Sequence, residues 1–223
     1  MSDDIAAPRE AEEITAEPTT EIERVFGENA DKAREYWGWL SAEATVRGLI
    51  GPREVPRLWE RHILNCAAVG DAIEEDKSVV DIGSGAGLPG IPLALARPDL
   101  TITLLEPLLR RTTFLDEVVA DLALENVTVV RGRAEEKAVV KQIGAVDVAT
   151  SRAVAPLGKL AKWSLPLVRT GGHMIALKGS TAAEEIERDA RDIKKAKGMN
   201  AEVIEVGSEY LATPTYVVRI EKK

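Results

Sequence analysis

Cysteine occurs once in the 223 residues, at Cys66, and histidine twice, at His62 and His173. A single thiol excludes a disulfide framework, so no disulfide partner is expected, and it excludes a multi-thiolate zinc site. Two histidines leave no histidine-rich metal site, so no metal is expected either. No stretch approaches the ~18 consecutive apolar residues of a membrane span, and runs such as Ile91–Ala96 are the size of a helix turn or a strand. The start, Met1-Ser2-Asp3-Asp4, is acidic with no apolar run behind it, so no secretory signal and a cytoplasmic location are expected. What is present is an apolar share of 45%, enough to bury a sizeable core in one domain with one extra module.

The formal net charge is −8, which taken alone argues against a free-standing nucleic-acid binder. The excess is not spread evenly. Residues 1–28 hold nine acids and two bases, a net of −7, which leaves a nearly neutral body at −1. A basic face on that body remains open.

Residues 1–18 are rich in Glu, Ala, Pro and Asp without apolar periodicity and read as a disordered acidic tail. Thr20-x-x-Glu23 has the form of a capping box, and Ile22, Phe26, Ala30, Ala33, Trp37 and Leu40 then recur at helical spacing. After a turn at Gly51-Pro52, a second helix is expected from about Pro56, with Trp59, Ile63, Cys66 and Gly70 on one face. Residues 19–76 thus form an N-terminal helical segment. From 77 to 223 the pattern becomes strands alternating with helices. The expected strands are Val79–Ile82, Thr101–Leu105, Val127–Val130, Val146–Ala149, His173–Leu177, Glu202–Val206 and Tyr216–Ile220. Among the helices, Leu108, Leu115, Val119 and Leu122 line one face, and Ile186, Ala190 and Ile193 another, with Glu184/Arg188 and Glu187/Arg191 pairs outside. Alternation of this kind predicts an α/β fold, a mostly parallel sheet covered on both faces. The last two strands have no room for a helix between them and are expected as an antiparallel edge hairpin.

The strongest local signal is Asp81-Ile82-Gly83-Ser84-Gly85-Ala86-Gly87-Leu88-Pro89-Gly90, an apolar strand running into alternating glycines. Glycine lets a chain turn tightly and lets a ligand lie against main chain. Gly85-x-Gly87-x-x-Gly90 is by letter a dinucleotide fingerprint. Asp81, however, stands where a pyrophosphate would meet negative charge, and a sulfonium cofactor with an α-amino group would welcome that charge. Glu106 ends the next strand, 21 positions after Gly85, where a carboxylate can accept from both ribose hydroxyls. After the third strand, the backbone of Ala134 and Glu135 can meet the polar edge of an adenine. Beyond the fourth strand there is neither an Asn/Asp-Pro-Pro-aromatic run nor a thiol nucleophile, because Cys66 falls on a helix and reads as a small core residue. Arg152, planar and always charged, is the candidate there for holding a base or phosphate.

Asp81–Pro92, Ser151-Arg152-Ala153 and Ala176-Leu177-Lys178-Gly179, with Glu60–Asn65 upstream and Arg111-x-x-Phe114-Leu115 on a later helix, resemble the bacterial ribosomal RNA small-subunit methyltransferase G family, also called glucose-inhibited division protein B. The resemblance runs from about Trp59 to the end. It implies a Rossmann-like class I methyltransferase with a seven-stranded sheet. It also implies transfer of a methyl group from S-adenosylmethionine to N7 of a guanine in 16S ribosomal RNA, free or within the small subunit or its assembly intermediate. Cofactor contacts would fall on Gly83, Leu88, Ala134, Glu135 and Arg152, beside Gly85 and Glu106 from the reading above. Arg152 would face both cofactor and guanine, and Lys178, His62, Arg110 and Arg111 would meet the RNA. Glu106 stands where many members carry Asp, and Leu109-Arg110 replaces a common Gly-Lys.

Guanine N7 is already nucleophilic, so the enzyme's task is alignment without a general base, in keeping with a chain that offers no placed His/Asp pair. Three other readings stay open on the residues: a methyltransferase of a small molecule or protein, a non-catalytic cofactor-binding or ribosome-assembly protein, and a nicotinamide dehydrogenase.

Overall fold

A computed structural model describes residues 17–152 and 154–223. Residues 1–16 of the acidic-tail reading lie outside the described residues, as does Ala153.

The first helical stretch begins with α1 (Thr19–Phe26) and passes through a tight turn into α2 (Ala30–Trp39) and a wider turn over Leu40–Ala44. No side chain caps α1: Pro18 stands at its N-cap, Thr20 lies within the helix, and the Glu23 carboxylate turns to Arg34 at 2.8 Å. The expected capping box is therefore not formed. The inward face runs Ile22, Phe26, Ala30, Ala33, Tyr36, Leu40, so Tyr36 takes the place expected of Trp37. Trp37 is half-buried and stacks on Trp59 instead, with ring centroids 6.5 Å apart. The second stretch winds through Pro52–Arg57 and Leu58–Leu64 into α3 (Asn65–Ala67), and buries Trp59, Ile63, Cys66 and Gly70 as expected.

Seven strands follow in the predicted order: β1 (Ser78–Ile82), β2 (Thr101–Glu106), β3 (Val127–Arg131), β4 (Val146–Arg152), β5 (Val168–Lys178), β6 (Gly198–Val206) and β7 (Thr215–Lys222). The sheet order is β3-β2-β1-β4-β5-β7-β6, parallel through β5, with β7 antiparallel to both β5 and β6. The closing hairpin is thus present. Its second strand lies inside the sheet, which explains why Val217, Val218 and Ile220 are fully buried, and β6 forms the edge.

Alternation along the strands divides the core. Val79, Ile102, Leu104 and Val148 face one way, under the N-terminal helices, α4 (Gly90–Ala96) and α5 (Leu109–Asp121). Val80, Ile82, Leu105 and Ala149 face the other way, towards α6 (Lys137–Ile143). Met174, Ala176, Val218 and Ile220 pack beneath α7 (Leu157–Ser164) and α8 (Ala182–Lys195). The result is the two-faced cover that a parallel sheet requires.

Two helix faces differ in detail from the periodic reading. Leu108 precedes α5 and is exposed, while Phe114, Leu115, Val118 and Leu122 make the buried stripe. On α8, Arg188 pairs with Asp189 at 2.8 Å and Glu185 at 3.8 Å in place of Glu184, and Ala190 is exposed. The chain leaves β1 towards β2 and β3, and later returns to place β4 and β5 on β1's other side. The switch between β1 and β4 opens a crevice at the strands' carboxyl ends.

Candidate active site

The loop after β1 builds the floor of that crevice. Gly83, Gly85 and Gly87 have φ of +72°, +62° and +98°, in the left-handed region where a Cβ is costly. They allow the chain to fold back so that the Gly83 N–H donates to the Leu105 carbonyl at 2.8 Å, stitching the loop to the end of β2. A Cβ on Gly87 would lie 2.3 Å from Ile91 Cδ1, whereas one on Gly85 would meet only the Gly83 carbonyl oxygen, at 3.9 Å. Pro89 sits just before α4 and its peptide bond with Leu88 is cis.

Asp81, one residue before the end of β1, and Glu106, at the end of β2, are both buried, at 0% and 1% exposure. Asp81 Oδ2 accepts from Ser84 Oγ at 2.6 Å and from the Gly90 N–H at 2.9 Å, while Oδ1 has no partner. Burial pushes the Asp81 carboxyl up to about 6, against the pull of those donors and of Arg152. Glu106 accepts from the Gly85 N–H at 3.0 Å, from the Leu108 N–H at 3.1 Å and from Arg111 Nη1 at 3.5 Å. A carboxylate offers about four acceptor directions, so one remains open, and the long Arg111 contact is the weakest of the three.

A cavity of about 530 Å³ runs past Gly83, Gly85, Leu88, Glu106, Arg111 and Arg152. A narrower cleft of about 140 Å³ continues from Gly83 and Pro107 to Ala134 and Glu135 beside Trp163. Every expected cofactor residue thus lies along one connected crevice. Arg111, expected at the RNA, lines it too and lies 3.5 Å from Glu106, while Arg110 is exposed.

Arg152 closes β4 itself, which extends three residues beyond the expected end. It lines the cofactor crevice and also a second cavity of about 440 Å³, shared with Glu54, Arg61, His62, Leu177 and Lys178. His62, expected at the RNA surface, is only 7% exposed and uses both ring nitrogens. Arg152 Nη2 lies 2.6 Å from His62 Nδ1, and Glu54 Oε2 lies 2.7 Å from His62 Nε2. Lys178 is similarly occupied: its ammonium donates to Glu185 at 2.8 Å and to the Ala155 carbonyl at 3.3 Å, although it still lines the second cavity. Cys66 is fully buried, and burial pushes its thiol up to about 11, which suits a core residue.

Sequence reasoning missed Tyr36 and Glu54. Tyr36 reaches from α2 to donate its hydroxyl to the Ala86 carbonyl at 2.8 Å, bracing the glycine loop from outside the sheet. No local pattern marks such a contact across 50 residues.

Comparison with known proteins fixes the family. A family model described as rRNA small subunit methyltransferase G matches residues 29–211. The chain belongs to this family. Curated relatives named ribosomal RNA small subunit methyltransferase G include one from Corynebacterium diphtheriae, 64% identical over 198 residues and covering 89% of this chain and 88% of the relative. Another, from Mycobacterium marinum, is 52% identical over 194 residues, covering 87% and 85%. Among solved structures, Aeropyrum pernix fibrillarin with natively bound S-adenosyl-L-methionine has a TM-score of 0.53 at 16% identity, covering 70% of this chain and 76% of that one. M. jannaschii TYW2 in complex with AdoMet has a TM-score of 0.51 at 18% identity, covering 71% of this chain and 74% of that one. These distant likenesses establish the Rossmann-like methyltransferase fold. As a member of the methyltransferase G family the chain is an S-adenosylmethionine-dependent enzyme, and its residues fit that cofactor. Gly83, Gly85 and Glu106 line the cavity of about 530 Å³, and the buried Asp81, on the strand that feeds the glycine loop, keeps one carboxylate oxygen without a partner. Among the described residues no helix is long and apolar enough to cross a membrane.

Proposed function

We propose that this chain methylates N7 of a guanine in 16S ribosomal RNA, acting in the cytoplasm on the small subunit or its assembly intermediate. The observation that carries the reading is the place of Arg152, which lines the cofactor crevice on one side and the second cavity on the other. When bound, S-adenosylmethionine supplies a methyl carbon on positively charged sulfur, open to in-line displacement by a lone pair.

Gly83, Gly85 and Leu88 would hold the cofactor, Asp81 would attract its ammonium group, Glu106 would accept from the ribose hydroxyls, and the Ala134–Glu135 backbone would meet the adenine. Arg152 reaches from the strand end into the space beyond. On a guanine's major-groove edge O6 lies beside N7, and a guanidinium donating to O6 fixes the base while leaving the N7 lone pair free. That lone pair needs no deprotonation. The chain accordingly has to supply position, not a base, and alignment of this kind is worth up to ~7–11 kcal/mol in favourable systems. Lys178 and Arg110 flank the approach as phosphate contacts, Lys178 by leaving Glu185 for the RNA.

The test is transfer of labelled methyl groups to 16S RNA, to whole subunits lacking the modification and to a pool of proteins, followed by mapping of the labelled atom. Label on guanine N7 of 16S RNA is the expected result. Label on protein, or on another RNA atom, would overturn the reading.

A further inference from the structure

Arg152 cannot act as a hydrogen-bond acceptor and does not lose its proton in a protein. Its Nη2 nevertheless lies 2.6 Å from His62 Nδ1, so Nδ1 must present a lone pair. The ring proton is then on Nε2, where it donates to Glu54 Oε2 at 2.7 Å. A second bond, from Arg152 Nη1 to the Arg61 carbonyl at 3.2 Å, holds the guanidinium from the same helical stretch. The carboxylate thus fixes the imidazole's tautomer, and the imidazole fixes the guanidinium.

Resting on the function proposed above, we infer that Glu54 and His62 are positioning residues, a carboxylate–imidazole relay that aims Arg152 at the junction of the two cavities. The surroundings keep the relay in this state. Burial comes first in pushing the His62 titration below its ordinary value, followed by the Arg152 charge, with Arg61 in the same direction and Glu54 opposing. The bond from His62 in turn holds the Glu54 carboxyl below its usual range. Among the described residues, Asp81, Cys66 and Tyr36 also sense the Arg152 charge, from β1, α3 and α2, Cys66 through a side-chain hydrogen bond as well. His62 is 7% exposed with both ring nitrogens engaged, the place of a group that supports Arg152.

The relay is tested by nitrogen NMR of the histidine ring together with a double-mutant cycle. Wild-type His62 should be the Nε2-protonated tautomer, and its titration midpoint should rise in Arg152→Ala and fall in Glu54→Ala. His62→Ala should lower turnover at saturating cofactor and RNA by about 10- to 100-fold while the cofactor KM stays within about threefold. In Arg152→Ala the same change should cost almost nothing further. His62→Asn, whose amide oxygen replaces Nδ1 as acceptor, should recover part of the rate. Glu54 is one-third exposed, so Glu54→Ala and Glu54→Gln keep the test usable if His62→Ala does not fold, with Gln recovering more activity than Ala. An Nδ1-protonated ring, midpoints unmoved by either partner, or fully additive losses would overturn the relay. If the wild-type chain puts no methyl on 16S RNA, the proposed function fails while the tautomer and midpoints still decide this inference.

Discussion

The two cavities that meet at Arg152 are made of different material. The cofactor crevice is mostly main chain: three glycines in the left-handed region, N–H groups aimed at Glu106, and a loop stitched to β2. The second cavity is mostly side chain, assembled from Glu54 and His62 on the N-terminal helical stretch, Arg152 on β4 and Lys178 on β5. The first therefore depends on backbone conformation, and at Gly87 it has no room for a further atom. The second depends on which side chains arrive from far apart and on how they are held.

Gly87→Ala should break the first region hardest. The added carbon falls 2.3 Å from Ile91 Cδ1 at a φ of +98°, so strain and overpacking together should cost about 2–4 kcal/mol in denaturant unfolding, with loss of cofactor binding. Asp81→Asn sharpens the contrast, because it should favour stability over function. The native carboxyl titrates at about 6 and the unfolded one near 3.8, so between these values the native state holds the proton more tightly. Stability should therefore fall as pH rises through that window, by up to about 3 kcal/mol, and Asn should remove the slope. Unfolding at pH 4 and pH 7 measures this, and calorimetry should find cofactor affinity reduced at least tenfold. Tyr36→Phe leaves the Ala86 carbonyl unpaired in the core and should cost about 1–2 kcal/mol with a modest loss of cofactor affinity. Arg110→Ala, on the exposed rim, should leave cofactor binding unchanged. It should reduce the salt dependence of RNA binding by about one counterion and alter little else.

The same contrast explains what the sequence could reveal. The crevice was legible because its causes are local: strand, alternating glycines, a carboxylate at the next strand's end. The seven strands were legible for the same reason, each being a short apolar run between turn signals. The second cavity was not. His62 carries the same letter whether it faces RNA or supports Arg152, and only the fold brings Glu54 eight residues back and Arg152 ninety residues on against its two nitrogens. Tyr36 and Trp37 are adjacent aromatics, and helical spacing admits either on the inner face. The choice fell to Tyr36 because its hydroxyl has an acceptor in the glycine loop. Lys178 and Arg111 were expected to meet the RNA, and both lie beside carboxylates that local spacing does not announce.

Main chain holds the cofactor and Arg152 steers the target under the proposed function. Cofactor affinity and the single-turnover methyl-transfer rate at saturating cofactor, measured in Gly85→Ala and Arg152→Ala side by side, separate the two roles. Opposite losses are expected: Gly85→Ala weakens affinity while its saturated rate persists, and Arg152→Ala keeps affinity within a few-fold while its rate falls by about 100-fold or more. Equal loss of both quantities in both variants, or full rate in Arg152→Ala, would contradict that division.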